Sequence, residues 1–360
     1  MLHKRLDRFM TLLAAGGLAL SACAAPPQAP AAPPATAPAE ATPAPATSAR
    51  KFYYITPNPI GVNDFLILGR KGSEEAAQKH NASLKILESE DPNTINENVR
   101  AAINDGADLV IVIGFEFGDI IPKVAAESPD VQFLTIDFCP DNPATNVHCA
   151  VFREYEAAYL IGATAGLLTK TDKVGVISAI DIPFLHRYTD GFAEGAKAVN
   201  PNVDVAVRWI GTDPSAFSDP AKAKEQALAL AAEGRDQIFA AGAASNLGIF
   251  EAAKEKNFQT YGVDVNQCPL AEGYVVDNLL KRVDNATVQA VDAIMAGEKS
   301  NVLAYGLKEG GIGIVPFSLD KPEDSKCLIM QNPDVIAKLK ELQDKIISGE
   351  ITIEDPMFKK

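Results

Sequence analysis

Across residues 51–263, short β-rich runs alternate with stretches in which apolar positions recur at helical spacing. The runs at 52–56, 83–87, 109–113 and 131–136 predict strands, and the stretches 69–80, 93–104 and 120–127 between them predict helices. The run Leu-Val-Ile-Val-Ile at 109–113 has no polar face. A strand of that kind is covered on both sides, which points to a parallel sheet between layers of helix. A second array repeats the scheme, with helices predicted at 154–169, 184–199, 220–233 and 247–256 and strands at 173–178, 203–210, 237–241 and 260–263. Further on, Val335, Ile336, Leu339, Leu342 and Ile346 mark one face of a helix at 333–349 that packs on a lobe.

Two βαβ arrays in succession predict an α/β protein made of two doubly wound, parallel-sheet lobes. The expected boundaries are 51–152 with about 266–300 for the first lobe, and 153–265 with about 301–360 for the second. Open parallel sheets hold ligands beyond the carboxyl ends of their strands, so two facing lobes place a ligand in the cleft between them.

The first 50 residues follow a different pattern. A basic start (Lys4, Arg5, Arg8) precedes an apolar run at 9–20 that is too short to span a membrane, as in a secretory signal. The run ends in Leu20-Ser21-Ala22-Cys23, an order that resembles the bacterial lipobox and makes 1–22 a lipoprotein signal peptide and Cys23 the lipidated residue. Acyl chains contribute about 0.8 kcal/mol per buried methylene, enough to hold a domain at a membrane without a spanning helix. Residues 24–48 are almost entirely Ala, Pro and Thr, with nothing to bury, so 23–50 reads as a semi-rigid tether.

Charge and cysteine usage narrow the chemistry. The chain carries a net charge of −14; removing 1–22 takes away three cations and one anion and leaves −16. Such a surface repels phosphate backbones and argues against a nucleic-acid polymer as partner. Beyond Cys23 there are four cysteines, which permit three pairings. Cys139 and Cys149 bracket a Pro- and Asn-rich loop whose closure would contribute about 3 kcal/mol in the chain-entropy model. Cys268 and Cys327 would then pair by elimination. The spacings lack a CxxC pair, which argues against zinc. No GxSxG elbow, Walker loop, GxGxxG turn or HExxH helix is present, and only four histidines occur, so nothing assembles a nucleophile and base.

Candidate binding residues lie at the predicted strand ends. Asn63-Asp64-Phe65 follows the first strand, Phe115 and Asp119 follow the third, and Asp264 closes the strand at 260–263. Carboxylates next to aromatic rings suit a polar, ring-bearing solute. Ser245 and Asn246, in the turn at 242–248, are able to bond a ligand or to cap a helix.

Taken in order, these segments resemble the basic membrane protein family of bacterial lipoproteins, which includes purine nucleoside receptors of ABC transporters. The resemblance runs from about Phe52 to Gly313. It includes Asn63-Asp64, Gly114-Phe115 with Asp119, Ile136-Asp137, Asn146-Val147 leading to Phe152, Lys173-Val174-Gly175, Gly191-Phe192 with Gly195, Phe217-Ser218-Asp219, Gly262-Val263-Asp264 and Lys281-Arg282-Val283-Asp284. It implies a periplasmic-binding-protein fold of type I, without catalysis or cofactor, whose lobes close by hinge motion at the crossovers. Its implied partners are a nucleoside and the permease of an importer, to which a monomer tethered outside the cytoplasm delivers its ligand. By motif, Asp64 and Asp119 would face the base, Phe65 and Phe217 would stack on it, and Asp264 and Lys281 would meet the ribose hydroxyls, Lys281 also pairing with Asp264. Three departures stand out: Phe65 follows Asp64 at once, the usual glycine-rich turn is replaced by 242–248, and Asp277-Asn278 stands where Thr-Ser is usual. A sensor subunit presenting ligand to a membrane receptor, or an importer of a sugar or riboflavin, would share the same fold.

Overall fold

The computed structural model describes residues 50–298 and 302–358, so the signal peptide, Cys23 and the tether lie outside the described residues. The first array is β1 (Lys51–Thr56), α1 (Asp64–Lys79), β2 (Ser83–Glu88), α2 (Pro92–Asn104), β3 (Leu109–Ile113), α3 (Ile121–Glu127), β4 (Gln132–Ile136) and β5 (Val147–Phe152). The second is α4 (Glu154–Leu168), β6 (Lys173–Ser178), α5 (His186–Val199), β7 (Asp204–Trp209), α6 (Pro220–Ala232), β8 (Gln237–Ala241), α7 (Asn246–Lys256), β9 (Gln259–Asp264) and β10 (Val275–Lys281). The chain then adds α8 (Val283–Met295), β11 (Val302–Tyr305), β12 (Ile312–Ile314), α9 (Val315–Ser318) and α10 (Pro333–Ser348).

Two six-stranded sheets result, in the orders β11-β5-β4-β3-β1-β2 and β12-β10-β9-β8-β6-β7. All pairings are parallel except β10 with β12. This is the two-lobed α/β architecture expected from the alternation of runs. All five residues of β3 are fully buried, as its lack of a polar face requires.

The lobe boundaries differ from the expected ones. Residues 275–281 were expected in the first lobe, but they form β10 of the second sheet; only from Val283 does the chain return to the first lobe, where α8 packs on α1, β4 and β5. Conversely, Val302–Tyr305, expected in the second lobe, adds a parallel edge strand to the first sheet. The chain therefore crosses between lobes at Arg153, at Arg282 and through residues 306–311. The obscuring feature in β10 is Asp277-Asn278, two polar residues in a fully buried strand. They are accommodated because Asp277 Oδ1 accepts the backbone N–H of Asn278 at 2.7 Å and of Val315 at 3.0 Å.

Local capping fixes the elements that frame the cleft. Helix α1 begins at Asp64, five residues before the expected start, because the Asn63 side chain accepts from the N–H groups of Phe65 and Leu66. Asp91 and Thr94 form a capping box at the start of α2, with Pro92 in the first turn. Helix α4 is buried from Glu154 to Gly166 except at Glu156 and crosses α5 at close range: a Cβ on Gly162 would stand 1.9 Å from the Phe192 carbonyl oxygen. Cys139 and Cys149 are bonded across the β4–β5 loop, and Cys268 and Cys327 join the β9–β10 loop to the segment before α10. No helix among the described residues is long and apolar enough to cross a membrane.

Candidate functional site

The carboxyl ends of both sheets meet around a cavity of ≈ 630 Å³, counting its open mouth. From the first lobe it is lined by Pro57 and Asn58 after β1, Asn63, Phe65 and Leu66 at the start of α1, Gly114, Phe115 and Glu116 after β3, and Asp137 after β4. The second lobe supplies Phe184, Leu185 and Tyr188 after β6, Phe217 after β7, Ala241 and Ala243 after β8, Val263 and Asp264 at the end of β9, and Lys281 at the end of β10.

One end of this pocket is a neutralised charge cluster at the crossovers. The Lys281 ammonium, 1% exposed, lies 2.6 Å from Asp137 Oδ1 and 2.8 Å from Glu154 Oε1, and donates to the Tyr188 hydroxyl at 3.3 Å. It also stands 5.0 Å from the centre of the Phe65 ring and 4.8 Å from that of Phe152. Arg187 extends the cluster, pairing with Glu154 at 3.3 Å and Asp355 at 2.6 Å and donating to the Phe152 carbonyl. Burial by itself would depress the Lys281 ammonium, but Asp137 and Glu154 outweigh it and hold the group well above its ordinary value.

The other polar groups are less well paired. Asp264 is buried, yet its carboxylate makes no hydrogen bond or ion pair with another described residue; burial raises its pKa to about 7 against the pull of Lys281. Glu116 is likewise raised to about 7 by burial, and its Oε2 is enclosed without a hydrogen-bond partner. Asp137 and Asp264 both hold left-handed backbone (φ 78° and 68°), a conformation that Asp tolerates better than most residues. Two carboxylates at strand ends are thus presented by backbone that ordinary loops avoid, as functional sites often require.

The expected residues divide into three groups. Phe65, Phe115, Phe217, Asp264 and Lys281 line the pocket, with the Phe115 and Phe217 rings 6.3 Å apart. Asn63 also lines it, although its side-chain oxygen is engaged in capping α1. Asp64 and Asp119 do not line it. Asp64 accepts from Gln267 Nε2 at 3.0 Å, a hydrogen bond between the lobes, and Asp119 borders a neighbouring outer cavity with Glu90, Arg100 and Ser218. Ser245 and Asn246 are buried braces: Ser245 bonds the backbone of Ala216 and Asp219, and Asn246 bonds Gly242, Ala240 and Gln267. The expected Lys281–Asp264 pair does not form, because Asp137 and Glu154 already hold the ammonium.

Sequence reasoning missed Asn58, Glu116, Asp137, Phe184 and Tyr188 as pocket residues. Asn58, Glu116 and Asp137 lie one to three residues beyond a strand's carboxyl end, where the strand-end rule points, whereas Phe184 and Tyr188 lie six and ten residues beyond β6. The partners of the charge cluster, Glu154, Arg187 and Asp355, carried no such signal. No group of three His, Cys, Asp or Glu side chains among the described residues is placed to hold a metal ion.

The sequence and the two-lobed fold both have counterparts among known proteins. Residues 65–356 match the family Bmp, ABC transporter substrate-binding protein PnrA-like. The chain belongs to this family. Among Bmp relatives, Basic membrane protein D of Borreliella burgdorferi is 32% identical over 257 residues, spanning 68% of this chain and 74% of that protein. The CD4+ T-cell-stimulating antigen of Listeria monocytogenes is 28% identical over 308 residues, spanning 80% and 82%. A crystal structure of ABC transporter solute-binding proteins from Aeropyrum pernix superposes with a TM-score of 0.75 at 24% identity, covering 85% of this chain and 94% of that one. The Bmp family consists of extracytoplasmic solute-binding proteins and not of enzymes, so the chain is a small-molecule-binding protein.

Proposed function

We propose that this Bmp protein is the lipid-anchored receptor of an ABC importer and captures a purine nucleoside between its lobes. The observation that carries this reading is a pocket in which the rings of Phe65, Phe115 and Phe217 stand with a buried, unpaired Asp264 carboxylate. A base stacked on such rings gains about 1–3 kcal/mol. The two Asp264 oxygens suit two vicinal hydroxyls, and a hydrogen bond to a charged group is worth about 1.5–3 kcal/mol. A ligand lacking the diol leaves a buried acceptor unsatisfied and is rejected on that account.

In this reading the charge cluster at the crossovers is the fixed floor and the aromatic rings are the closing jaws. Hinge motion excludes water, which strengthens each polar contact inside. Cys23 carries the acyl chains, and the tether keeps the monomeric, loaded receptor near its permease at high effective concentration. Calorimetry with adenosine, guanosine, inosine, uridine, free bases, ribose and riboflavin tests the ligand, with Trp209 fluorescence as a second readout. Nucleosides are expected to bind and free ribose to fail; binding of a sugar or flavin with no nucleoside would overturn the ligand assignment. Incorporation of labelled fatty acid into the chain, abolished by Cys23→Ala, tests the anchor.

A further inference from the structure

The loop after β3 was expected to send Asp119 toward the ligand's ring, yet Asp119 borders the outer cavity. The carboxyl that reaches the inner pocket from this loop is Glu116. It sits on the 3-10 turn Phe115–Phe117, between Phe115, which lines the pocket, and Phe117, which is buried in the core. Glu116 borders the inner pocket and the outer cavity together with Pro57 and Asn58, so it stands where the two meet. Gly114 precedes it with φ +100°, a backbone that glycine adopts without strain, and a Cβ there would push the Glu116 carboxyl aside. Oε2 is enclosed and has no hydrogen-bond partner among the described residues, a costly arrangement unless something else donates to it.

We propose that Glu116 is the residue that selects among ring-bearing ligands, accepting hydrogen bonds from a donor edge that pairs a ring N–H with an exocyclic amine. This inference rests on the nucleoside reading and adds to it a preference for guanine-type over adenine-type rings. A carboxylate has two acceptor oxygens and no donor. The guanine edge presents N1–H and an N2 amine side by side, which both oxygens accept. Hypoxanthine offers the N1–H alone. Adenine turns a lone pair on N1 toward the carboxylate, and that acceptor–acceptor contact is repulsive. Glutamine at this position has one acceptor and one donor, the pattern that suits adenine's N6 amine and adjacent ring nitrogen.

The test is calorimetry on the full mature chain at pH 8 with guanosine, inosine and adenosine, for the native protein and for Glu116→Gln and Glu116→Ala. The native protein is expected to bind guanosine at least about tenfold more tightly than adenosine, with inosine between them. Glu116→Gln should collapse or invert that ratio, and Glu116→Ala should lose guanosine affinity while adenosine affinity holds or rises. Unchanged thermal unfolding establishes that both variants are folded. If nucleosides bind and the guanosine-to-adenosine ratio is the same in all three proteins, the inference is wrong and the nucleoside reading stands. If no nucleoside binds the native protein, both are wrong.

Discussion

The two ends of the pocket handle buried charge in opposite ways. At the crossovers, Lys281, Asp137, Glu154, Arg187 and Asp355 are paired with one another within 3.3 Å. On the walls, the Asp264 carboxylate makes no hydrogen bond or ion pair with another described residue, and Glu116 has one oxygen without a partner among them. A cluster of charges paired with one another holds geometry, whereas an unpaired buried carboxylate is an unfavourable arrangement that a ligand with matching donors relieves. Stability should therefore reside at one end and recognition at the other.

The sharpest way to break that division is at Lys281. Replacing it with Met leaves Asp137 without its ion-pair partner and Glu154 with Arg187 alone, and truncating one partner of a buried pair costs about 3–5 kcal/mol. Urea unfolding of Lys281→Met should show a loss of that size; a stability within 1 kcal/mol of native, reading about 1 kcal/mol as the limit for an unimportant pair, would mean the cluster is not structural. Asp264→Asn should do the reverse. Asparagine keeps the left-handed backbone at little cost, so folding should be unharmed or improved, while nucleoside affinity falls by about 2 kcal/mol, or thirtyfold. Unchanged affinity would remove Asp264 from the site.

The same carboxyls set a pH dependence whose sign follows from burial. Asp264 and Glu116 are raised to about 7, above their ordinary values, so the folded protein holds these protons more tightly than the unfolded chain does. The stabilisation they bring is complete below the ordinary carboxylate range and is lost as pH rises through about 7. The melting temperature of ligand-free protein should then rise as the buffer is taken from pH 8 to pH 6, and Asp264→Asn should flatten the slope. A native slope of the opposite sign would sink the assignment of these groups as uncompensated. The smallest effects are expected at Gln267 and Ser245. Gln267→Ala removes the interlobe bond to Asp64 and should shift the ligand-free protein toward a larger scattering radius, at about 1 kcal/mol. Ser245→Ala should lose about 1 kcal/mol of stability with no change in ligand affinity, as befits a brace.

Much of the fold was legible because unbroken apolar runs at 109–113 and 238–241 have few alternatives to buried parallel strands. What stayed hidden were segments whose burial depends on particular hydrogen bonds, such as β10 with its Asp277-Asn278 pair, and short edge strands that add to the sheet of the other lobe. The site was legible only to the level of which loops contribute. Within a loop, a single turn decides which side chain faces inward. Capping by Asn63 brings Phe65 to the pocket while Asp64 meets Gln267, and the 3-10 turn after Gly114 brings in Glu116 where Asp119 was expected.

The path of the chain has a bearing on how this protein can be taken apart. The edge strand β11 of the first sheet comes from residues that follow most of the second sheet, and β12 then closes the second sheet in turn. No single cut releases either lobe. A fragment ending near Arg153 would lack β11 beside β5 and α8 over α1, leaving an open sheet edge and an uncovered apolar helix face. The two lobes are therefore expected to melt in a single cooperative transition, and dissecting them requires cuts at all three crossovers.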